Sequence, residues 1–379
     1  MKATLCSLGT AVPKFAIDQE AAAKIAQALR LTSRWNQALP QLYRKSGVRR
    51  RGSVLLTSDP NDYENCQSFF QEPSSEKPYG PSTKERMLAY AEYAGPLLQE
   101  ACELAQKRSD FERHQISHLV TVTCTGFASP GIDHWIIQSM GLPTSTQRTH
   151  IGFMGCHGMI NGLRTARSIA LSDPNAVVLV GAVELCSLHQ QYTEDPQQLV
   201  ANALFADGAA AAIVAGSAYP STASNAAWNI VSSHSVLIGD SNDQMAWMIG
   251  DHGFQMRLSP EVPALIETTL ASEVDGWLSK MNIHRDQISA WAIHPGGPRI
   301  LDAVASSLSL NTETVQPSRD VLAEHGNMSS PTVLFILDRI NAATSVATFE
   351  GRRYCVLIAF GPGIHAEMIL LKQHNTKIR

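Results

Sequence analysis

The chain has 379 residues, of which 44% are hydrophobic and 17% are charged, and its formal net charge is −4. This length suffices for one large domain or two packed halves, and the absence of a basic excess argues against a nucleic-acid partner. The seven cysteines are scattered without a CxxC pair, which is typical of a reducing cytoplasm and not of a disulfide framework or a zinc site. The sequence has no run of 18 apolar residues, so we predict no membrane span.

The strands are predicted from apolar runs. The N-terminal stretch MKATLCSLGTAVPKFAIDQE predicts a strand and a loop rather than a signal peptide, because Gly9 and Pro13 interrupt it. Later runs are nearly continuous instead of alternating, as expected for strands covered by helices on both faces. They span 118–125, 176–183, 209–216, 288–295 and 354–363.

Helices are predicted between these strands. The stretch 81–107 begins with Ser82 and Glu85 at capping-box spacing, and further helices are expected at 160–173 and 330–343. The mixture indicates an α/β fold with buried sheets. The polar stretches 57–84 and 215–227 predict surface loops, and the second lies near the middle of the chain. We therefore predict an N-terminal half at 1–220 and a C-terminal half at 221–379.

The stretch HIGFMGCHGMINGLRTARSIA contains the first candidate for chemistry. Cys156 lies between Gly155 and His157, with Gly158 next, at the start of a predicted helix. The helix macrodipole and unpaired backbone N–H groups lower the pKa of a thiol there, and the thiolate is a nucleophile. The alternative is a small buried hydrophobic residue, which this stretch alone favours. His157 is adjacent to Cys156 and is interpreted as structural.

Two further polar residues stand beside glycine turns. His294 ends a predicted strand and precedes Pro-Gly-Gly-Pro, where a ligand can approach closely. Asn327 precedes a predicted helix and could donate to a developing oxyanion. The alternatives are a turn histidine bonded to a carbonyl and a helix cap. Taken together, Cys156, His294 and Asn327 suit acyl transfer through a covalent thioester.

At these residues the chain resembles the type III polyketide synthases, the chalcone-synthase-like branch of the thiolase superfamily. The motifs that carry the resemblance are GFMGCHG, ALFADGAAAAIVAG, HPGGPRILD, GNMSSPTVLFILDRI and AFGPGIHAE, which occur in family order. The resemblance implies a five-layered αβαβα sandwich of two similar halves and a homodimer, and the cysteine pattern predicts a cytoplasmic location. Cys156 would be the nucleophile, paired as a thiolate with His294, and Asn327 would help hold the malonyl thioester oxygen.

The resemblance also implies pocket residues. One gatekeeping position matches Phe205, and the other falls on Met256 unless a gap brings Phe254 into place. A methionine there would give a flexible entrance suited to longer starters. Cys186 and His189 are expected to face the cavity, with simple core packing as the alternative for both. The remaining predicted pocket residues are Thr125 and Ser329.

The expected substrates are acyl-CoA and malonyl-CoA, with no metal and no bound cofactor. The predicted CoA-binding residues are Lys45, Gly296, Gly297 and Arg299, near a basic run at 44–51 that could equally be a solvated face. We expect iterative decarboxylative condensation from fatty acyl starters, giving alkylpyrones or alkylresorcinols. The alternatives are a ketoacyl synthase III-like single condensation, a Cys-His-Asn hydrolase and a non-catalytic acyl-binding protein.

Overall fold

The computed structural model describes residues 2–28, 33–58, 66–219, 228–239, 243–344 and 354–373. The strands are β1 (Thr4–Ala11), β2 (Ala16–Asp18), β3 (Arg50–Gly52), β4 (His118–Thr123), β5 (Gln147–Gly152), β6 (Val177–Leu185), β7 (Asp207–Ala215), β8 (Trp228–Leu237), β9 (Met245–Gly250), β10 (Gly253–Leu258), β11 (Ile288–Ile293), β12 (Tyr354–Gly361) and β13 (His365–Gln373). The helices are α1 (Gln19–Ala28), α2 (Ser33–Lys45), α3 (Thr83–Lys107), α4 (Ile132–Met140), α5 (Gly158–Ser172), α6 (Pro196–Leu204), α7 (Val262–Ser279), α8 (Pro298–Leu308), α9 (Thr312–His325) and α10 (Thr332–Thr344).

The main sheet has nine strands within the described chain, in the order β11-β12-β13-β8-β1-β7-β6-β4-β5. Its first half contains β1, β7, β6, β4 and β5, and its second half contains β8, β13, β12 and β11. The halves meet where Thr4 and Leu5 of β1 pair with Asn229 and Trp228 of β8. Two separate strand pairs, β2 with β3 and β9 with β10, lie outside the main sheet.

Helices cover both faces of each half. Helices α5 and α10 pack between the halves, in a core that includes Leu163 and Leu337. Helices α3 and α4 cover the outer face of the first half, and α7 and α8 cover that of the second. The predicted five-layered αβαβα sandwich is therefore confirmed. The two β layers of the sandwich are joined edge to edge by the pairing of β1 with β8.

The predicted strands and helices form where the apolar runs place them. All nine residues of β6 and all nine of β7 are buried, which explains their continuous apolar sequence. Ser82 and Glu85 form the predicted capping box at the start of α3. The predicted boundary between the halves, at residues 220 and 221, lies outside the described residues and stays a prediction.

Candidate active site

A series of neighbouring cavities runs through the described chain. The reaction cavity, of about 30 Å³, is lined by Cys156, His294 and Asn327. The entrance cavity, of about 590 Å³, shares Leu204, Leu258, Gly296 and Ile300 with it. On the other side lies the inner cavity, of about 20 Å³, which shares Cys156, Phe205, Met245 and Met256 with the reaction cavity. The distal cavity, of about 80 Å³, shares Cys186, Phe205 and Trp247 with the inner cavity, and Ala201 and Phe205 with the reaction cavity.

Cys156 lies on a tight turn between β5 and α5. Gly155 has φ of +74°, and a Cβ added to it would lie 2.4 Å from Cδ of Pro362, so only glycine fits there. The next residues form a single 3₁₀ turn that continues into α5, as the sequence predicts for a helix start. The Cys156 side chain is half-buried, and burial raises its pKa to about 12, although the Ser329 hydroxyl acts in the opposite direction.

His294 directly follows β11 and faces the same cavity. Its backbone N–H donates to the carbonyl of Ile358 at 2.8 Å, which extends the pairing of β11 with β12 by one residue. The side chain is only 1% exposed, and neither ring nitrogen has a hydrogen-bond partner among the described residues. Burial lowers the pKa of His294 to about 3, so its imidazole is neutral at pH 7. A buried, unpaired imidazole is costly and therefore points to a role with a bound molecule.

These two pKa directions oppose the thiolate–imidazolium pair that the family resemblance implies. A thiol with a raised pKa and an imidazole with a lowered pKa are both neutral at pH 7. The cause is the same for both groups, since burial penalises the charged form of each. The backbone hydrogen bond at Cys156 lowers its pKa by less than burial raises it.

Asn327 is held beside Phe205 by backbone hydrogen bonds. Its N–H donates to the carbonyl of Leu204, and its own carbonyl accepts from the N–H of Ala206, both at 2.9 Å. The side-chain Oδ1 accepts from the N–H of Ser329 at 2.8 Å. Within the described chain no hydrogen bond uses Nδ2, so this donor is available to a ligand in the reaction cavity.

Glu184 at the end of β6 organises the wall behind Cys156, and the sequence analysis missed it. Its carboxylate accepts from the backbone N–H of Cys124 at 2.9 Å, from Thr125 Oγ1 at 2.8 Å and from Ser330 Oγ at 2.6 Å. It therefore ties β6 to the loop after β4 and to the turn that contains Asn327. A lone acidic residue at the end of the apolar run AVVLVGAVEL is the signal that could have found it.

The predicted pocket residues divide between the cavities. Thr125, Cys186 and Ser329 line the inner cavity, and Phe205 and Met256 line both the inner and the reaction cavities. Met256 therefore borders both cavities, whereas Phe254 lines neither, and the gatekeeping role of Met256 stays a prediction. Phe254 is completely buried.

His189 lies in the distal cavity and does not line the reaction cavity. The N–H of Phe254 donates to Nδ1 of His189 at 3.0 Å, so Nε2 carries the proton and donates to the carbonyl of Thr125 at 2.7 Å. Burial lowers its pKa to about 3. With both nitrogens used, His189 fixes the wall and is not available for proton transfer.

Trp247 on β9 is a second residue that the sequence analysis missed. It lines both the inner and the distal cavities, and its indole N–H donates to the carbonyl of Cys124 at 2.8 Å. Its ring lies 6.2 Å from that of Phe205 and 5.5 Å from that of His189. No motif marks this tryptophan, because the hairpin of β9 and β10 places it over the cavity only in the folded chain.

The predicted CoA residues lie together at the entrance cavity. Lys45, Gly296, Gly297 and Arg299 all line it, with Lys45 and Arg299 exposed at the surface. Arg51 from the same basic run is turned inward instead and donates to the carbonyl of Phe205 at 2.8 Å. Part of the basic run therefore buttresses Phe205 rather than facing solvent.

Two features are absent from the described residues. No helix in that part of the chain is long and apolar enough to cross a bilayer. The same residues contain no cluster of histidine, cysteine and acidic side chains suited to hold a metal ion.

Comparisons with known proteins match almost the whole chain. Residues 1–218 match the N-terminal domain of chalcone and stilbene synthases, and residues 229–374 match the C-terminal domain. The alpha-pyrone synthesis polyketide synthase-like Pks18 of Mycobacterium tuberculosis is 31% identical, covering 97% of this chain and 90% of that protein. A putative chalcone synthase of Bacillus subtilis is 29% identical, covering 97% and 98% of the two chains.

The fold is shared with a solved structure of the same kind. PKS-I from the brown alga Ectocarpus siliculosus superimposes with a TM-score of 0.89 at 31% identity, covering 98% of each chain. The sequence motifs, the layered fold and these matches agree with one another. The chain therefore belongs to the chalcone and stilbene synthase family and is a type III polyketide synthase, a malonyl-CoA-dependent condensing enzyme of the acyltransferase class.

Proposed function

We propose that this enzyme loads an acyl group from acyl-CoA onto Cys156, extends it iteratively with malonyl-CoA and cyclises the product to an alkylpyrone or alkylresorcinol. The observation that carries the proposal is the reaction cavity, which brings Cys156 together with His294 and Asn327 from distant parts of the chain. These residue types can supply a nucleophile, a base and an oxyanion donor.

Loading begins from neutral groups. His294 accepts the proton of the Cys156 thiol as the sulfur attacks the carbonyl of the acyl-CoA thioester. The tetrahedral intermediate collapses, the acyl group stays on Cys156, and CoA leaves as a thiolate that takes the proton from His294. The dry cavity strengthens the attraction between the transient thiolate and imidazolium.

Extension uses the same cavity. Malonyl-CoA loses CO₂, and negative charge develops on the thioester oxygen of the resulting enolate. The Nδ2 group of Asn327 and a ring N–H of His294 donate to that oxygen. The enolate carbon attacks the Cys156 thioester, forming a carbon–carbon bond and releasing the cysteine as a thiolate, so the product is a β-ketoacyl-CoA two carbons longer. Return of that chain to Cys156 starts the next cycle.

The cavity series suggests where the substrates lie. Lys45 and Arg299 flank the large entrance cavity, which suits the phosphates of CoA. An acyl tail would pass the inner cavity toward the distal cavity, whose lining includes Ile17, Ile25 and Leu56. The intervening cavities are small, so Met256 and Phe205 must move to admit a long tail. The flexible thioether of Met256 makes that movement easier than a second aromatic ring would.

Two observations support a pyrone or resorcinol as the product. One relative is named for alpha-pyrone synthesis, and it is 31% identical to this chain. The distal cavity offers space behind the nucleophile for a tail that is not cyclised. Which of the two rings forms depends on how the chain folds before ring closure.

The assembly and location are part of the proposal. Strand β5 ends the main sheet and pairs only with β4 in the described chain, while Phe153 and Met154, which follow it, and the nearby Phe127 are exposed. An open strand edge next to exposed apolar side chains suits a second copy of the chain, so we propose a homodimer. The cysteines of the described chain form no disulfide, which suits a cytoplasmic enzyme. The proposed reaction itself uses no bound metal or organic cofactor.

The test is product analysis by mass spectrometry. The purified enzyme is incubated with malonyl-CoA and acyl-CoA starters ranging from acetyl to stearoyl. We expect release of CO₂ and alkylpyrones or alkylresorcinols that retain the starter tail. Consumption of a single malonyl-CoA per product would instead identify a one-step condensing enzyme.

Two cysteine variants complete the test. Cys156→Ala is expected to lower condensation by at least about a thousandfold, because the covalent intermediate cannot form. Cys186→Ala is the matched control, since Cys186 lines the inner cavity with Cys156 but has no role in the proposed chemistry. Full condensation by Cys156→Ala would contradict the mechanism.

A further inference from the structure

A chain of buried polar groups begins directly beside the nucleophile. Nδ1 of His157 lies 2.7 Å from Oδ1 of Asn161, and Nδ2 of Asn161 donates to Oε1 of Glu367 at 3.0 Å. Glu367 also accepts from Ser235 Oγ at 2.9 Å and pairs with Arg164 at 2.6 Å. His157, Asn161 and Glu367 are each at least 96% buried. The series connects the turn that bears Cys156 to β13, on the other half of the molecule.

The hydrogen bonds determine which nitrogen of His157 carries the proton. Because Asn161 donates its Nδ2 to a carboxylate, its Oδ1 faces His157 as an acceptor. Nδ1 of His157 must therefore be the donor. Glu367 fixes the orientation of Asn161, and Asn161 in turn fixes the tautomer and the rotation of the His157 ring.

The opposite edge of the His157 ring contacts Gly361, the last residue of β12. A Cβ added to Gly361 would lie 2.3 Å from Cδ2 and 2.5 Å from Nε2 of His157, so the ring packs directly on the backbone. Gly361 and Pro362 line the inner cavity together with Gly155 and Cys156. Asn161 holds one edge of the His157 ring and Gly361 holds the other. The backbone of the preceding residue, Cys156, therefore has little conformational freedom.

We propose that His157 is a positioning residue for Cys156, anchored through Asn161 by Glu367. This proposal rests on the proposed function, in which Cys156 is the nucleophile. The Nδ1–H bond keeps the His157 ring against Gly361, and the shared turn then holds the Cys156 sulfur toward His294. His157 touches no substrate and transfers no proton in the reaction.

The groups around His157 favour its neutral form. Burial lowers its pKa, and the nearby His365 acts in the same direction, whereas Asn161 and Glu367 act in the opposite direction. The ring of His365 on β13 lies 6.4 Å from the ring of His157. His294, which follows β11, is also near enough for a positive charge on His157 to lower its pKa. A neutral His157 avoids a positive charge beside His294, which must accept a proton during acyl loading.

The test compares two substitutions that separate the hydrogen bond from the ring. His157→Asn keeps a donor near the position of Nδ1, whereas His157→Phe keeps an aromatic ring against Gly361 but loses the donor.

For each variant we would measure kcat and KM with malonyl-CoA, and the rate of Cys156 alkylation by iodoacetamide from pH 7 to 10. Asn161→Ser, which breaks the link to Glu367, is the second route if His157→Phe does not fold.

We expect His157→Phe and Asn161→Ser to lower kcat by about tenfold with little change in KM, since tenfold corresponds to about 1.4 kcal/mol, near the worth of one buried hydrogen bond. A loosened turn admits water, so the pH profile of Cys156 alkylation should shift to lower pH. His157→Asn, which keeps the donor but loses part of the contact with Gly361, should be less impaired than His157→Phe. The proposal is wrong if His157→Phe matches the wild type in both measurements, or if His157→Asn is as impaired as His157→Phe. Wild-type protein that ignores malonyl-CoA would contradict the proposed function instead, while the alkylation comparison still tests His157.

Discussion

Glu184 and His294 are both completely buried polar side chains near Cys156, yet their surroundings are opposite. Glu184 accepts hydrogen bonds from backbone and side-chain donors on neighbouring segments. His294 has no partner at either ring nitrogen within the described chain. Hydrogen bonds offset the free-energy cost of burying Glu184. At His294 no hydrogen bond within the described chain offsets that cost. The comparison separates a group whose hydrogen bonds hold neighbouring segments together from one that, in our proposal, finds its partners in the substrates.

The largest effect is expected from His294→Leu. Removing the base and oxyanion donor should lower condensation by about a hundredfold to ten-thousandfold. Because leucine removes two unsatisfied buried nitrogens, the melting temperature should stay the same or rise. Condensation assays and thermal unfolding of the same preparation check both statements. A large fall in melting temperature would mean that His294 is structural.

Glu184→Leu should show the reverse pattern. The substitution leaves the Cys124 N–H and the Thr125 and Ser330 hydroxyls without their acceptor, so we expect the free energy of unfolding to fall by about 3 kcal/mol. Activity should fall with stability, since the wall behind Cys156 loosens. Glu184→Gln, which keeps one acceptor oxygen, is the matched control and should lose less. Urea unfolding measures the difference, and equal stability of Glu184→Leu and wild type would contradict the assigned role.

The pH dependence of Cys156 alkylation tests the neutral resting state. Burial raises the pKa of Cys156 to about 12, so the thiolate fraction grows with pH throughout the accessible range. The iodoacetamide rate should therefore rise by about tenfold per pH unit between pH 7 and 10. A rate that is already constant at pH 7 would instead indicate the thiolate–imidazolium pair in the free enzyme.

The smallest effect is expected at the entrance cavity. Lys45→Met and Arg299→Met should each raise KM for malonyl-CoA by about threefold to tenfold while kcat stays unchanged, since exposed charges contribute little and are screened by salt. The difference from wild type should shrink in high salt. Arg49→Met is the control, because Arg49 belongs to the same basic run but does not line the entrance cavity. A KM change at Arg49 equal to that at Lys45 would show a general effect of surface charge.

Much of the fold and of the candidate site was predictable from the sequence. The apolar runs placed β4, β6, β7, β11 and β12, and the capping box placed the start of α3, because both signals are local. The glycine-flanked motifs pointed to Cys156, His294 and Asn327, which meet in one cavity. Roles of these residues in catalysis stay predictions until the variants are measured.

Contacts between distant segments were not predictable. Trp247, Glu184 and Asn161 carry no motif, and these partners lie on segments that are distant in the sequence. The direction of the Cys156 and His294 pKa shifts also differed from expectation, since a local pattern shows a helix end but not the depth of burial.

The sequence by itself determined the periodic elements, the glycine turns and the family, because these depend on neighbouring residues and on motif order. Only the tertiary structure decided which polar groups are satisfied, how the cavities adjoin and in which direction burial shifts the pKa values of Cys156 and His294. Hydrogen-bond partners and desolvation come from residues far apart in the chain, and they exist only once the two halves of the sheet have packed around α5 and α10.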